Sequence, residues 1–234
     1  MRRAALVVAL AALVALAGCG GSNTTSPSPT GTDGPDATPY PPGVSESGLN
    51  NSELLGAHQS TLRNESFELV INNTVNGQPT VVSQRVDDGW SRLLVEIDRP
   101  DGLRQEFYAD GTLTLREDGN VTTSEQRFPG ALRITAAFDL RAPLRAATFT
   151  PEGTVERDGE TLVELTASLD DLNPDAVGGN VTEFDGRVLV GPEGAIRLLD
   201  VRFAGTVEGE SFTQDYRFTV SGIGETTVDR PDWA

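Results

Sequence analysis

The side chains able to do chemistry are few. The 234-residue chain holds one cysteine, one histidine and no lysine. The thiol, Cys19, follows Leu16 and the small residues Ala17 and Gly18, which leave a nucleophilic sulfur open to thioether formation. His58 falls near Leu54, Leu55 and Leu62 at roughly helical spacing, which points to a packed or capping imidazole rather than a catalytic one. A Ser-His-Asp arrangement would have to use it, and no Gly-x-Ser-x-Gly elbow occurs. Without lysine there is neither a Schiff base nor a P-loop. One histidine and a committed thiol cannot furnish an ordinary zinc site. We therefore expect no metal and no cofactor. Asp87-Asp88 and Asp170-Asp171 offer oxygen ligands of the kind Ca²⁺ takes, but neither lies in an EF-hand loop, and both read as solvated turns. Gly178-Gly179-Asn180 reads as a loop, not a phosphate cradle. The enzymatic alternative is a hydrolase with two carboxylates flanking a groove. The reading adopted is a protein that is not an enzyme.

The elements around Cys19 give it a purpose. Arg2-Arg3 precede an apolar run from Ala4 to Ala17, which is shorter than the ~20 residues a spanning helix needs. Positive charge before and small residues after are the flanks of an export signal. Leu16-Ala17-Gly18-Cys19 resembles the lipobox of lipoproteins, so residues 1–18 read as a signal peptide and Cys19 as the lipidated mature N-terminus. Arg2-Arg3 also resembles a reduced twin-arginine signal, with Met1 where Ser or Thr is usual. A two-chain lipid gives firm attachment where one chain would be marginal. The expected address is the outer face of the cytoplasmic membrane. With Cys19 consumed, no disulfide can form within the chain, so the fold relies on its core.

Charge narrows the partners. The formal net charge is −17, all basic residues are arginine, and the acids are spread along the folded part. No basic stripe is present to neutralise phosphates, which excludes nucleic acid. Self-repulsion of this size destabilises a compact domain at low ionic strength. Molar salt shortens the Debye length to about 3 Å and removes most of it. The composition resembles that of proteins from salt-in halophilic archaea; the other reading is an acidic surface for a cationic partner.

Residues 19–44 are rich in Ser, Thr, Pro and Gly and read as a disordered tether. Residues 45–234 suit a single domain. Six Asn-x-Ser/Thr sequons, at Asn23, Asn50, Asn64, Asn72, Asn120 and Asn180, are candidate N-glycosylation acceptors in an exported protein. A helix is expected within 45–64, capped by Asn51 or Ser52. Seven Asx-Gly dipeptides then follow: Asn76-Gly77, Asp88-Gly89, Asp101-Gly102, Asp110-Gly111, Asp118-Gly119, Asp158-Gly159 and Asp185-Gly186. They supply the positive φ of tight hairpin turns. Apolar and polar residues alternate between them, as in Leu93, Val95 and Ile97, giving strands with one wet face. Residues 131–147 break that pattern and predict short helices around Pro143. The expected fold is mainly β (α+β): a curved antiparallel sheet, an open half-barrel of about ten strands, covered by the N-terminal helix and short helices. Phe107, Phe203, Phe212, Tyr216 and Phe218 are the candidate lining of a ligand cavity; filling a core is the other role open to them.

That plan, behind a lipobox, resembles the LolA-type lipoprotein carrier superfamily, in which helices plug a half-barrel and acyl chains lie between. The chain also resembles a family of haloarchaeal surface lipoproteins of unknown function. That likeness is carried by the helix with His58, the Asn64-Glu65-Ser66-Phe67 strand entry and the closing Val228-Asp229-Arg230-Pro231-Asp232-Trp233. The resemblance implies non-enzymatic binding or carriage of a lipid or other apolar ligand, in a cavity large enough for a chain. The alternative is a structural or interaction module of the cell envelope, with an unknown protein partner and no ligand.

Overall fold

The computed structural model describes residues 40–234, which belong to one compact unit. Pro41 and Val44 are already buried in it. A minimal hairpin, β1 (Val44–Ser45) and β2 (Gly48–Leu49), leads into α1 (Asn51–Leu62). Six strands follow: β3 (Phe67–Val75), β4 (Gln78–Val86), β5 (Arg92–Arg99), β6 (Gly102–Ala109), β7 (Thr112–Glu117) and β8 (Asn120–Glu125). Two short helices, α2 (Ala131–Ile134) and α3 (Ala137–Arg145), separate them from β9 (Thr150–Arg157), β10 (Glu160–Ser168), β11 (Asn180–Val190), β12 (Ile196–Val207) and β13 (Glu210–Ser221).

Strands β3 to β13 form one antiparallel sheet of eleven strands in the order β8-β7-β6-β5-β4-β3-β13-β12-β11-β10-β9. It does not close, because β8 and β9 remain its edges. The chain leaves at one edge and re-enters at the other, so residues 126–149 must bridge the opening. Helices α2 and α3 are that bridge. Buried Ala137, Leu140 and Leu144 of α3 and Leu54, Leu55 and Leu62 of α1 join the concave face of the sheet in one core. Each of these leucines contributes about 1.5–3 kcal/mol by leaving water.

Local chemistry explains the elements. Asn50, one residue earlier than expected, caps α1: its Oδ1 accepts from the Glu53 backbone N–H. Asn51 instead donates through Nδ2 to the Leu144 carbonyl, tying α1 to α3. The Asx-Gly steps at 76–77, 110–111, 118–119 and 158–159 place both residues at positive φ between successive strands, the geometry of a tight hairpin. Asp88-Gly89 lies in a 3₁₀ turn instead. Asp185-Gly186 is not a turn at all; it lies within β11. Gly186 is required there because a Cβ would sit 2.8 Å from the Phe149 ring that packs on it.

The convex face explains where many acids go. Arg187 pairs in register with Asp200, and Asp200 with Arg217. One row along, Asp185 pairs with Arg202, and Arg202 with Asp215. Opposite charges therefore face each other across three strands, an arrangement that favours this register.

Candidate functional site

The concave face changes along its strands. At the helix end, Phe67, Leu69, Val86, Leu93, Leu199 and Phe218 are fully buried. Four residues further along strands β3, β4, β5 and β13, the inward positions begin to open. Val82 and Ile97 are half-buried, as are Asn73, Gln214, Phe212 and Val181, and Val75 is exposed. The register sets these residues side by side: Val82 pairs with Ile71 and Ile97, Asn73 with Tyr216, and Gln214 with Val75. An amide bridge from Gln214 Nε2 to Asn73 Oδ1, 2.8 Å, crosses this open end.

Tyr216 stands at the boundary. It is buried, and its hydroxyl has no hydrogen-bond partner among the described residues. A buried hydroxyl left unpaired costs about 1–3 kcal/mol. Burial, with the Asp139 carboxylate adding to it, pushes this hydroxyl above the ordinary tyrosine range, so it stays a neutral donor. Phe203 lies beside it in the core and meets Phe184 edge to face at 5.0 Å. Phe184 escapes notice in the sequence because it adjoins the misleading Asp185-Gly186 pair.

The candidate lining residues divide. Phe203, Tyr216 and Phe218 are buried on the concave face, and Phe212 is half-buried toward its open end. Phe107 is on the other side. It packs on the convex face with Leu94, Val228 and Trp233. The inward residues of β6 are Arg104, Glu106 and Tyr108 instead. Glu106 is buried and receives Arg104 Nε at 3.0 Å, Arg133 Nη2 at 2.9 Å and Tyr108 Oη at 2.9 Å. This cluster fastens α2 to the sheet. Burial and the Glu106 charge raise the Tyr108 hydroxyl above its usual range.

At the helix end, side chains of α1, α3 and the sheet bury one another in a single core. A cavity of about 340 Å³ lies on the convex face between β4–β6 and the C-terminal segment Thr227–Trp233. Another, about 210 Å³, lies by Asn51, Arg145, Phe149 and Asn173.

His58 is part of the packing at the helix end. The Ile196 backbone N–H donates to Nδ1 at 3.2 Å, so the proton resides on Nε2, which donates to the Thr135 carbonyl at 3.0 Å. One neutral imidazole thus joins α1, the α2–α3 junction and the start of β12. Burial lowers its pKa to about 4. The acid pairs are local: Asp171 accepts from Ser168 N–H and Oγ, which lowers its pKa, and Asp87 accepts from Ser91. Among the described residues, no group of His, Cys, Asp and Glu is arranged to hold a metal. Asn50, Asn64, Asn72, Asn120 and Asn180 are all exposed. Cys19 and Asn23 lie outside the described residues, as does most of the 19–44 segment. No described helix is long and apolar enough to cross a membrane.

One family model spans nearly the whole sequence, matching residues 4–234: a family of unknown function, DUF7537. The chain belongs to this family. No curated protein matches this DUF7537 chain. Among solved structures it is similar to LprF from Mycobacterium bovis, at 12% identity, covering 79% of this chain and 97% of that one, with a TM-score of 0.42. The lipoprotein LppX of Mycobacterium tuberculosis gives 10% identity, 77% and 99% coverage, and a TM-score of 0.38. The MucA/MucB complex of Pseudomonas aeruginosa gives 14% identity, 78% and 59% coverage, and a TM-score of 0.35. The half-barrel architecture of the DUF7537 chain rests on its own strand order and register.

Proposed function

We propose that this protein is an exported, lipid-anchored surface protein that binds an apolar ligand, a lipid or its isoprenoid equivalent, without catalysing a reaction. The observation that carries the reading is the open end of the concave face. There, half-buried Val82, Ile97, Val181 and Phe212 share the concave face with buried Tyr216, whose hydroxyl lacks a partner among the described residues. Apolar surface beside one well-placed polar group is the usual make-up of a small-molecule site. The ligand would lie along this end, with its polar group on Tyr216, rather than between sheet and helices. Cys19 carries the anchor in this reading, on the outer face of the cytoplasmic membrane. The exposed sequons, with Asn23, are its glycan acceptors.

The packed helix end favours a second reading, an interaction module of the envelope without a ligand. Mass spectrometry of organic extracts separates the two, using protein purified natively in high salt. A stoichiometric lipid supports the first reading. An empty, stable protein overturns it in favour of the second. The net charge of −17 supports a high-salt habitat. Circular dichroism over a salt series is expected to show structure in molar KCl and loss of it in dilute buffer; unchanged stability at low salt overturns that part.

A further inference from the structure

The charge of this protein is unevenly placed. Between Glu125 and Glu152 the sequence carries Arg127, Arg133, Arg141 and Arg145 against a single acid, Asp139, in a chain of net charge −17. All four arginines are exposed. Arg133 is held by Glu106, whereas Arg127, Arg141 and Arg145 take part in none of the ion pairs among the described residues. The basic stretch is the bridge between the two sheet edges.

Its helix is two-faced. α3 buries Ala137, Leu140 and Leu144 against the core. Phe138, Arg141 and Arg145, at i, i+3 and i+7, therefore share the opposite side. Phe138 is 68% exposed, more than any other exposed large apolar residue described, and Leu132 of α2 is 44% exposed. A projecting phenyl ring flanked by guanidinium groups is poorly placed for water.

We propose that the outward face of α3, with Leu132, docks on an anionic lipid surface. Charge complementarity selects the occupant: this is a net basic stretch in an acidic protein, and an anionic headgroup layer is what it attracts. The side chains fit the same medium. An interfacial helix sinks its apolar residues below the headgroups while arginine stems reach back to the phosphates. A lipid anchor at Cys19 would hold the domain within reach of such a surface, but the docking face is independent of the anchor and of any ligand on the concave face. Docking through α3 would set the bridged opening of the half-barrel against the bilayer.

The test is co-sedimentation of residues 40–234, a compact unit with its own core, with phosphatidylglycerol vesicles and with phosphatidylcholine vesicles. The salt is the lowest at which circular dichroism shows the fold intact. The native domain is expected to bind phosphatidylglycerol and to leave phosphatidylcholine in solution. Arg141→Gln and Arg145→Gln should each lower the partition coefficient about fivefold. Phe138→Ser should lower it further, while Arg116→Gln, an exposed arginine of β7, should leave it unchanged. Raising the salt should weaken the preference for the anionic vesicle. Failure to bind either vesicle, or equal binding by native protein and the Phe138 and Arg141 variants, overturns the proposal. So does a preference for soluble polyglutamate over vesicles, which would make this face an interface for an acidic protein. The extracted-lipid experiment reads a different site, so the two proposals fail separately.

Discussion

The two ends of the concave face are made from the same strands, yet they are built for different ends. At the helix end apolar residues are closed over by α1 and α3, and two buried polar groups among them are paired: His58 on both nitrogens, and Glu106 by Arg104, Arg133 and Tyr108. Toward the open end apolar and amide side chains mix and exposure rises, and at the boundary the Tyr216 hydroxyl is left unpaired among the described residues. The difference teaches where stability and binding reside. A site that is filled and satisfied has nothing left to offer a ligand, whereas an unsatisfied polar group beside apolar surface does.

Substitutions at the two ends should therefore act on different observables. The largest effect is expected at the closed end. His58→Ala removes two buried hydrogen bonds, strands the Ile196 N–H and the Thr135 carbonyl, and leaves a cavity. Denaturant unfolding should show a loss of about 3–5 kcal/mol. A loss below about 1 kcal/mol would mean that the imidazole does not join the three elements.

The same residue should set an acid limit. Its folded pKa of about 4 lies below the ordinary 6.5, so the unfolded chain binds the proton first as pH falls. Stability contributed by neutral His58 is complete above about pH 6.5, is lost as pH drops toward 4, and changes no further below that. The loss is on the order of 3 kcal/mol. Because carboxylates also titrate near the lower limit, the measurement is the difference between native protein and His58→Gln across this window. Parallel pH curves would refute the assignment.

Glu106→Gln should cost about 2–3 kcal/mol, since it removes the charge that Arg104 and Arg133 share while keeping an acceptor for Tyr108. Hydrogen exchange at α2 should rise in this variant more than at α1; equal protection would mean that the cluster does not fasten α2. The smallest stability effect belongs to the open end. Tyr216→Phe deletes a buried hydroxyl without a partner among the described residues and should raise stability, by about 1 kcal/mol. It should nevertheless reduce the lipid recovered from native protein. Full lipid recovery from Tyr216→Phe would remove that hydroxyl from the proposed site.

Much of this fold is legible in the sequence because local chemistry governs it. The alternation in β5 and the Asx-Gly turns report their own geometry, and so does the break in pattern over 131–147. The face of β6 was not legible. Leu103, Gln105 and Phe107 look inward by hydrophobicity, yet the inward set is Arg104, Glu106 and Tyr108. Two distant segments decide this: the C-terminal segment at Val228 and Trp233 covers Phe107, and Arg133 of α2 neutralises Glu106. Asp185-Gly186 misleads for a related reason, because its glycine answers the ring of Phe149, which arrives from the segment before β9. The site was legible only in part. Four of the five candidate aromatics share the concave face, but their burial depends on how deeply the helices fill it.

The sequence by itself determined the elements, the antiparallel meander and the scarcity of nucleophiles and ligands. These follow from backbone preferences and from composition, which act within a few residues. The tertiary structure alone decided which face of β6 is inward, how the helices pack on the sheet, that the Tyr216 hydroxyl lacks a partner among the described residues, and that Phe138 projects to solvent. Each of those depends on what arrives from far along the chain to cover or to leave uncovered a given side chain, and hydrophobic periodicity carries no record of that distance.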